Sequence, residues 1–291
     1  LRGKGLVRKL LLPFNLLRGF LQAKREIERV QPDAVLGMGG FITFPGGMMA
    51  VLKGKPLLIH EQNSVAGLAN RVLARVADRV LTGFPEVIDK GEWVGNPVRD
   101  EICQLPPPAQ RYGARQGPLR ILVVGGSLGA QALNETVPRA LALIPADQRP
   151  EVIHQSGARH LPLLQGHYAA AGVEAQCVAF IEDMAGAYGW ADLVICRAGA
   201  LTIAELAAAG VASILVPFPH AVDDHQTGNA RFLANAGAAI LLPQKDLTPE
   251  RLALVRDMTR AQLLQMAEQA HALARPDATA TVAKICKELA K

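Results

Sequence analysis

Short apolar runs rich in Leu, Ile and Val alternate with helical patterns along this chain, and the alternation stops once and then restarts. Runs at 34–36, 56–60, 79–82 and 93–94 read as strands, with helical patterns such as 65–76 between them. A stretch at 105–118 then breaks the pattern; it holds three consecutive prolines and is rich in Gln, Arg and Gly. Strand-like runs resume at 120–124, 151–154, 175–180, 193–196, 213–216 and 239–242, and the chain beyond Asp246 is helical. Nearly continuous apolar strands joined by helices require parallel sheets covered on both faces. The pattern therefore predicts two doubly wound α/β domains, at 1–104 and 119–275, joined by a linker at 105–118. A C-terminal helix at 276–291 could pack back on the first domain. With 291 residues the chain can build two cores.

Sheets of this kind bind ligands beyond the carboxyl ends of their strands, so the residues after each strand are the candidates. The run 120–124 enters Gly125-Gly126-Ser127-Leu128-Gly129 just before a helix. Glycines let the backbone approach an anion closely, and a helix start offers free N–H groups. A Gly-rich turn can equally be a compact strand-to-helix connection. The loop does not match GxGxxG, and the next strand ends His154-Gln155 with no acid to hold a ribose, which disfavours a dinucleotide dehydrogenase.

After 193–196 come Arg197, Gly199, Ala200, Leu201, Thr202 and, one turn on, Glu205. A carboxylate there could accept two sugar hydroxyls, or be a first-turn acid favoured by the helix dipole. After 213–216, Asp223 or Asp224 can cap a helix whose first turn carries His225 and Gln226. In the first domain, Gly37-Met38-Gly39-Gly40 and Pro45-Gly46-Gly47 flank Phe41–Phe44 beside one strand end, and His60-Glu61-Gln62-Asn63 ends the next strand. Arg99 stands near the linker, as a phosphate clamp or as a solvated surface charge.

Charge is unevenly placed. Residues 1–25 carry seven of the 31 cations and no acid, leaving 24 cations against 26 acids in the rest. Leu6, Leu10, Phe14, Leu17 and Leu21 form one helical stripe beside Arg8, Lys9 and Arg18. That stripe suits an anionic bilayer surface, or a core helix covering the sheet. No apolar run approaches the roughly 20 residues needed to span a membrane. The four scattered cysteines fit neither a zinc site nor a disulfide framework. With 4% aromatics the basic patch lacks a stacking platform, so nucleic acid is not an expected partner.

Taken in order, these segments closely resemble the bacterial family of UDP-N-acetylglucosamine transferases that convert lipid I to lipid II. The matching stretches are Leu1 to Gly5, Gly37 to Gly40, Pro45 to Gly47, His60 to Asn63, Gly95 to Arg99, Gly125 to Ser127, Arg197 to Glu205, and His225, Gln226 and Asn229. The ordered set covers nearly the whole chain. The resemblance implies a GT-B architecture of two Rossmann-like domains facing a cleft, at the cytoplasmic face of the inner membrane as a peripheral protein. Its implied partners are UDP-N-acetylglucosamine, undecaprenyl-diphosphate-linked lipid I and the membrane surface at residues 1–25. By resemblance, Ser127 and Arg99 contact the donor, and the backbone at Phe180-Ile181 holds uracil. Ala200, Leu201 and Thr202 receive phosphate, and Glu205 takes the ribose hydroxyls. His225 and Gln226 reach the sugar, with Asn63 opposite, and His60, Gly39 and Gly40 form the acceptor side. The family's favoured general base lies in a His-bearing turn ahead of Leu1, which leaves His60 as the candidate base.

The implied reaction is inverting: the acceptor's 4-hydroxyl attacks the anomeric carbon as UDP leaves. No DxD-like pair sits where a metal-bridged diphosphate would need it, so no metal or other cofactor is expected. The competing readings are another GT-B enzyme such as a nucleotide-sugar epimerase, or a non-catalytic nucleotide-sugar-binding fragment.

Overall fold

The computed structural model describes residues 12–126 and 129–291, the side chains of residues 12, 13 and 222 excepted. The chain divides into two compact units, residues 1–96 with 277–291, and residues 97–276.

In the first unit, strands β1 (Val35–Gly37), β2 (Leu57–Glu61), β3 (Arg79–Thr82) and β4 (Glu92–Trp93) form a parallel sheet in that order. All five residues of β2 are buried. Successive side chains of a strand point to opposite faces, and here both faces are covered. Leu57 and Ile59 pack with Leu73, Phe44 and Met48. Leu58 packs on the other side with Leu81, Val94 and, from the C-terminal helix Ala278–Leu289, Val282 and Ile285.

The helix Leu12–Val30 splits its apolar residues between two faces. Phe20 meets Phe44 edge-on at 5.9 Å, and Ile27 is buried. Phe14, Leu17 and Leu21, at spacings of three and four, are 64%, 58% and 60% exposed. Leu6 and Leu10 of the predicted stripe lie outside the described residues.

The second unit contains β5 (Arg120–Val124), β6 (Glu151–Gln155), β7 (Gln176–Val178), β8 (Leu193–Cys196), β9 (Ala212–Leu215) and β10 (Ala239–Leu241). Their order is β10-β9-β8-β5-β6-β7, all parallel. This is the doubly wound order of a Rossmann sheet, whose direction of winding reverses between the first and fourth strands. Here that switch point lies between β5 and β8.

The stretch 105–118, expected as a linker, is instead packed into the second unit. It carries the helix Pro108–Gly113. Arg111 is 9% exposed and donates to the carbonyls of Pro106 (2.8 Å), Tyr188 (3.3 Å), Ala209 and Gly210 (2.6 Å). The buried Tyr112 donates its hydroxyl proton to the Asp192 carbonyl at 2.7 Å. Proline runs mark a break in periodicity but say nothing about long polar side chains finding carbonyls elsewhere.

Candidate functional site

At the switch point, the turns after β5, β8 and β9 enclose a cavity of about 720 Å³, a size typical of small-ligand sites. Gly125, Gly126, Gly129, Arg197, Thr202 and Gln226 are among its walls. The glycines are required by shape. Gly126 and Gly129 have φ of +80° and +75°, and a Cβ on Gly125 would lie 2.6 Å from the Ala130 nitrogen. The loop is braced by Gln155, at the end of β6. The Gln155 Oε1 accepts from Gly126 N (3.1 Å), and its Nε2 donates to the carbonyls of Gly126 (3.0 Å) and Ala179 (3.1 Å). In the sequence Gln155 stands out only as the absence of an acid; its pairing with Val124 across the sheet is what puts its amide on the loop. Ser127, expected to contact the donor, lies outside the described residues.

The helix Ala200–Ala209 begins at Gly199, whose extended φ of −65° and ψ of 147° come with no side-chain cap. Its first N–H groups are therefore open to an anion. Thr202 borders the cavity, whereas Ala200 is buried and Leu201 is 52% exposed, so those two offer backbone rather than side chain. Arg197, not among the expected contacts, also lines the cavity. Its guanidinium donates to the carbonyls of Val216 (3.1 Å) and Pro217 (3.2 Å) and to Gln244 Oε1 (2.6 Å), and stacks on Phe218. Burial lowers its pKa from the usual arginine value.

Gln226 Oε1 accepts from Phe218 N at 2.8 Å. That bond fixes the amide so that its NH₂ is the group presented to a ligand. His225 is half-buried and is not among the cavity walls. The capping expected of Asp223 or Asp224 takes another form. Both adopt left-handed φ, +53° and +51°, and Asp224 makes no cap bond to the backbone. Its Oδ1 instead accepts from Thr227 Oγ1 at 2.7 Å.

Glu205 sits one turn beyond Thr202 and is half-buried. Its Oε2 accepts from the Tyr188 hydroxyl at 3.0 Å. Burial raises its pKa, opposed by the Tyr188 bond and by the Arg99 charge. Arg99 itself is exposed, at the N-cap of the helix Asp100–Cys103. Ile181 lines a separate depression of about 350 Å³, with Phe180, Asp183 and Trp190. The second unit thus brings the Gly loop, Thr202 and Gln226 to one cavity, places Glu205 one turn beyond Thr202, and puts Ile181 at a separate hollow.

In the first unit, Gly39 and Gly40 adopt φ of +82° and +78°. Thr43 caps the same turn by donating from Oγ1 to the Gly39 carbonyl. A Cβ on Gly39 would come within 3.0 Å of Gln62 Oε1, so this loop abuts the turn after β2. That turn is organised by Glu61, 3% exposed. Its carboxylate accepts from Asn63 N (3.0 Å), Gly67 N (3.1 Å) and Asn70 Nδ2 (2.8 Å). Asn63 is half-buried beside it.

His60 does not suit the base expected of it. It is fully buried within β2. Its Nε2 lies 2.9 Å from the Gly95 carbonyl and so must carry the proton. That leaves Nδ1 to accept from Gln62 Nε2 at 3.2 Å. Both ring nitrogens are occupied, and burial lowers the ring's pKa.

Comparison with known proteins matches residues 120–289 to the glycosyltransferase family 28 C-terminal domain and residues 1–82 to the N-terminal domain. The UDP-N-acetylglucosamine–N-acetylmuramyl-(pentapeptide) pyrophosphoryl-undecaprenol N-acetylglucosamine transferase of Dechloromonas aromatica (strain RCB) is 68% identical over 291 residues, covering 100% of this chain and 83% of that protein. The crystal structure of Acinetobacter baumannii MurG is 44% identical with a TM-score of 0.86, over 99% of this chain and 82% of that one. A UDP-GlcNAc 2-epimerase from Neisseria meningitidis, bound to UDP-GlcNAc, shares the fold at 13% identity and a TM-score of 0.63, over 94% of this chain and 81% of that one.

Proposed function

The chain belongs to glycosyltransferase family 28, and from that premise we propose that its second unit binds UDP-N-acetylglucosamine at the switch-point cavity and delivers the sugar to lipid I. It is a UDP-N-acetylglucosamine-dependent hexosyltransferase, and its product is lipid II. The observation that carries the site assignment is the convergence of Gly125, Gly126 and Gly129 with Thr202 and Gln226 on one cavity. Backbone N–H groups of two helix starts are aimed where a leaving diphosphate gains charge, and such preorganised donors are a large term in transfer chemistry. Glu205 takes the ribose hydroxyls, Arg99 adds a cation, and the Gln226 NH₂ reads a sugar oxygen. Ile181 holds uracil through its backbone.

The reaction inverts the anomeric centre, the acceptor hydroxyl attacking in line as UDP departs. The charge on the diphosphate is met by N–H groups and guanidinium, so no metal is needed. Labelled UDP-N-acetylglucosamine and a lipid-diphosphate muramyl pentapeptide acceptor test this, with and without EDTA. Labelled lipid product, undiminished by EDTA, is the expected result. Isomerised nucleotide sugar without transfer would instead indicate an epimerase. Loss of product in EDTA would overturn the metal-independent mechanism.

The same enzyme works as a peripheral protein on an anionic bilayer surface, through residues 1–25. The support is the exposed row Phe14, Leu17 and Leu21 beside exposed Arg18, Lys24 and Arg25, on a helix whose other face is packed. Among the described residues no helix is long and apolar enough to cross a membrane. Flotation with phosphatidylglycerol vesicles should fall at least about tenfold when Lys4, Arg8 and Lys9 become Glu, at roughly 1 kcal/mol per cation near the surface. Unchanged flotation would refute the contact.

A further inference from the structure

Tyr188 stands outside the expected contacts, yet it is the one group bonded to the Glu205 side chain by a described hydrogen bond, at 3.0 Å. It is held at both ends. Its ring is among the largest fully buried side chains of the chain. Its backbone carbonyl accepts from Arg111, the buried cation that also grips the carbonyls of Ala209 and Gly210 at the end of Glu205's own helix. Arg111 thus ties the helix Met184–Trp190 to the helix Ala200–Ala209, and the Tyr188 hydroxyl bridges the same two helices nearer the site.

A buried phenol has one proton to give, and here it goes to Oε2. A free Glu side chain has three torsions to settle, and its two oxygens are interchangeable by rotation. With Oε2 occupied, Oε1 is the oxygen left to face a ligand. We propose that Tyr188 is a positioning residue of the donor site: its hydroxyl claims one oxygen of Glu205 and so presents the other to the vicinal hydroxyls of the nucleotide ribose. This rests on the reading of the second unit as the UDP-sugar site.

Among the described residues, three titratable or charged groups face Glu205. They are Tyr188 from the helix Met184–Trp190, Arg99 ahead of the helix Asp100–Cys103, and the Cys196 thiol at the end of β8. Burial pushes the Cys196 thiol up to about 12 and holds the Tyr188 phenol well above its ordinary value, so neither titrates near neutrality. Burial also raises the Glu205 carboxyl, and the Tyr188 bond and the Arg99 charge oppose it. Only the ionised carboxylate accepts hydrogen bonds at both oxygens, so ribose binding weakens as pH falls through the Glu205 pKa. Removing the Tyr188 hydroxyl takes away an opposing influence, and that acid limb moves to higher pH.

The experiment measures UDP and 2′,3′-dideoxyuridine diphosphate binding calorimetrically across pH, for the natural protein and Tyr188→Phe. The natural protein should prefer UDP. Tyr188→Phe should lose about tenfold in UDP affinity, the scale of one hydrogen bond to a charged group, and little for the dideoxy ligand. Its acid limb for UDP should move upward. Should Tyr188→Phe not fold, protein made with 3-fluorotyrosine keeps the shape and makes the hydroxyl a stronger donor; its limb should move downward. No preference for UDP in the natural protein would sink the donor-site reading itself. A natural preference that Tyr188→Phe leaves intact, or a limb that the fluorinated protein leaves in place, would overturn the role of Tyr188 alone.

Discussion

Gly129→Ala should reduce UDP affinity by at least about 100-fold, which isothermal calorimetry would read directly. Gly129 has φ +75°, a region that costs an L-residue about 1–2 kcal/mol. The steric problem is larger. A Cβ there would overlap the Ser156 carbonyl oxygen and stand 3.1 Å from the His160 ring. Ser156 follows Gln155, the residue that clamps Gly126, so the clash falls on both sides of the loop at once. The chain can relieve it only by moving the loop off the cavity. Gly166→Ala is the matched control in the same unit. Gly166 lies exposed within the helix Leu161–Ala171 with open space around its Cβ, and the change should stabilise by about 0.5–1 kcal/mol and leave binding alone. A Gly129→Ala protein that binds UDP within threefold of the natural one would show that the loop carries no ligand.

Asp192→Ala should destabilise the second unit by about 3–5 kcal/mol, the range for removing one partner of a buried ion pair. Asp192 is fully buried before β8. Its carboxylate accepts from Arg115 Nη1 (2.6 Å), Arg260 Nη2 (3.2 Å) and the backbone nitrogen of Arg120 (2.9 Å) at the start of β5. The Arg115 side chain is only 7% exposed and stacks on Tyr112 at 4.9 Å. Alanine leaves that cation in place with its charge partner gone and frees the first N–H of the central strand. A fall in melting temperature of about 6–20 °C follows from the usual scaling for units of this size. A shift under about 3 °C would mean that the three donors find other acceptors. The effect belongs to stability, so UDP affinity well below the melting point should change little.

Much of the fold was legible because its rules are local. The strands at 79–82, 120–124 and 193–196 have the bounds read from their apolar runs, since short buried strands of Leu, Ile and Val leave few alternatives. The turn glycines were legible for a similar reason: clustered glycines after a strand mark backbone that no other residue can follow. Elsewhere local reading failed for a definite cause. His60 closes the apolar run 56–60 and opens four polar residues, so in the sequence it looked like a strand end turned toward a ligand. The parallel partner β3 extends β2 through Glu61, pairing it with Thr82. That leaves His60 two residues from Leu58, on the same covered face. The linker reading failed in the same way, since Arg111 and Tyr112 are polar by composition and buried by partner.

The alternation of the sequence by itself determined two parallel α/β sheets, and the order of its glycine and polar segments determined the family. Only the tertiary structure decided which polar groups act together. Gln155 grips a loop 29 positions away, Tyr188 a carboxylate 17 away, and Asp192 arginines 77 and 68 away on either side. A linear pattern carries the period of burial but not the identity of the partner. Buried polar groups must be satisfied wherever the chain happens to bring a complement, and that is settled by strand order and register, which no local window contains.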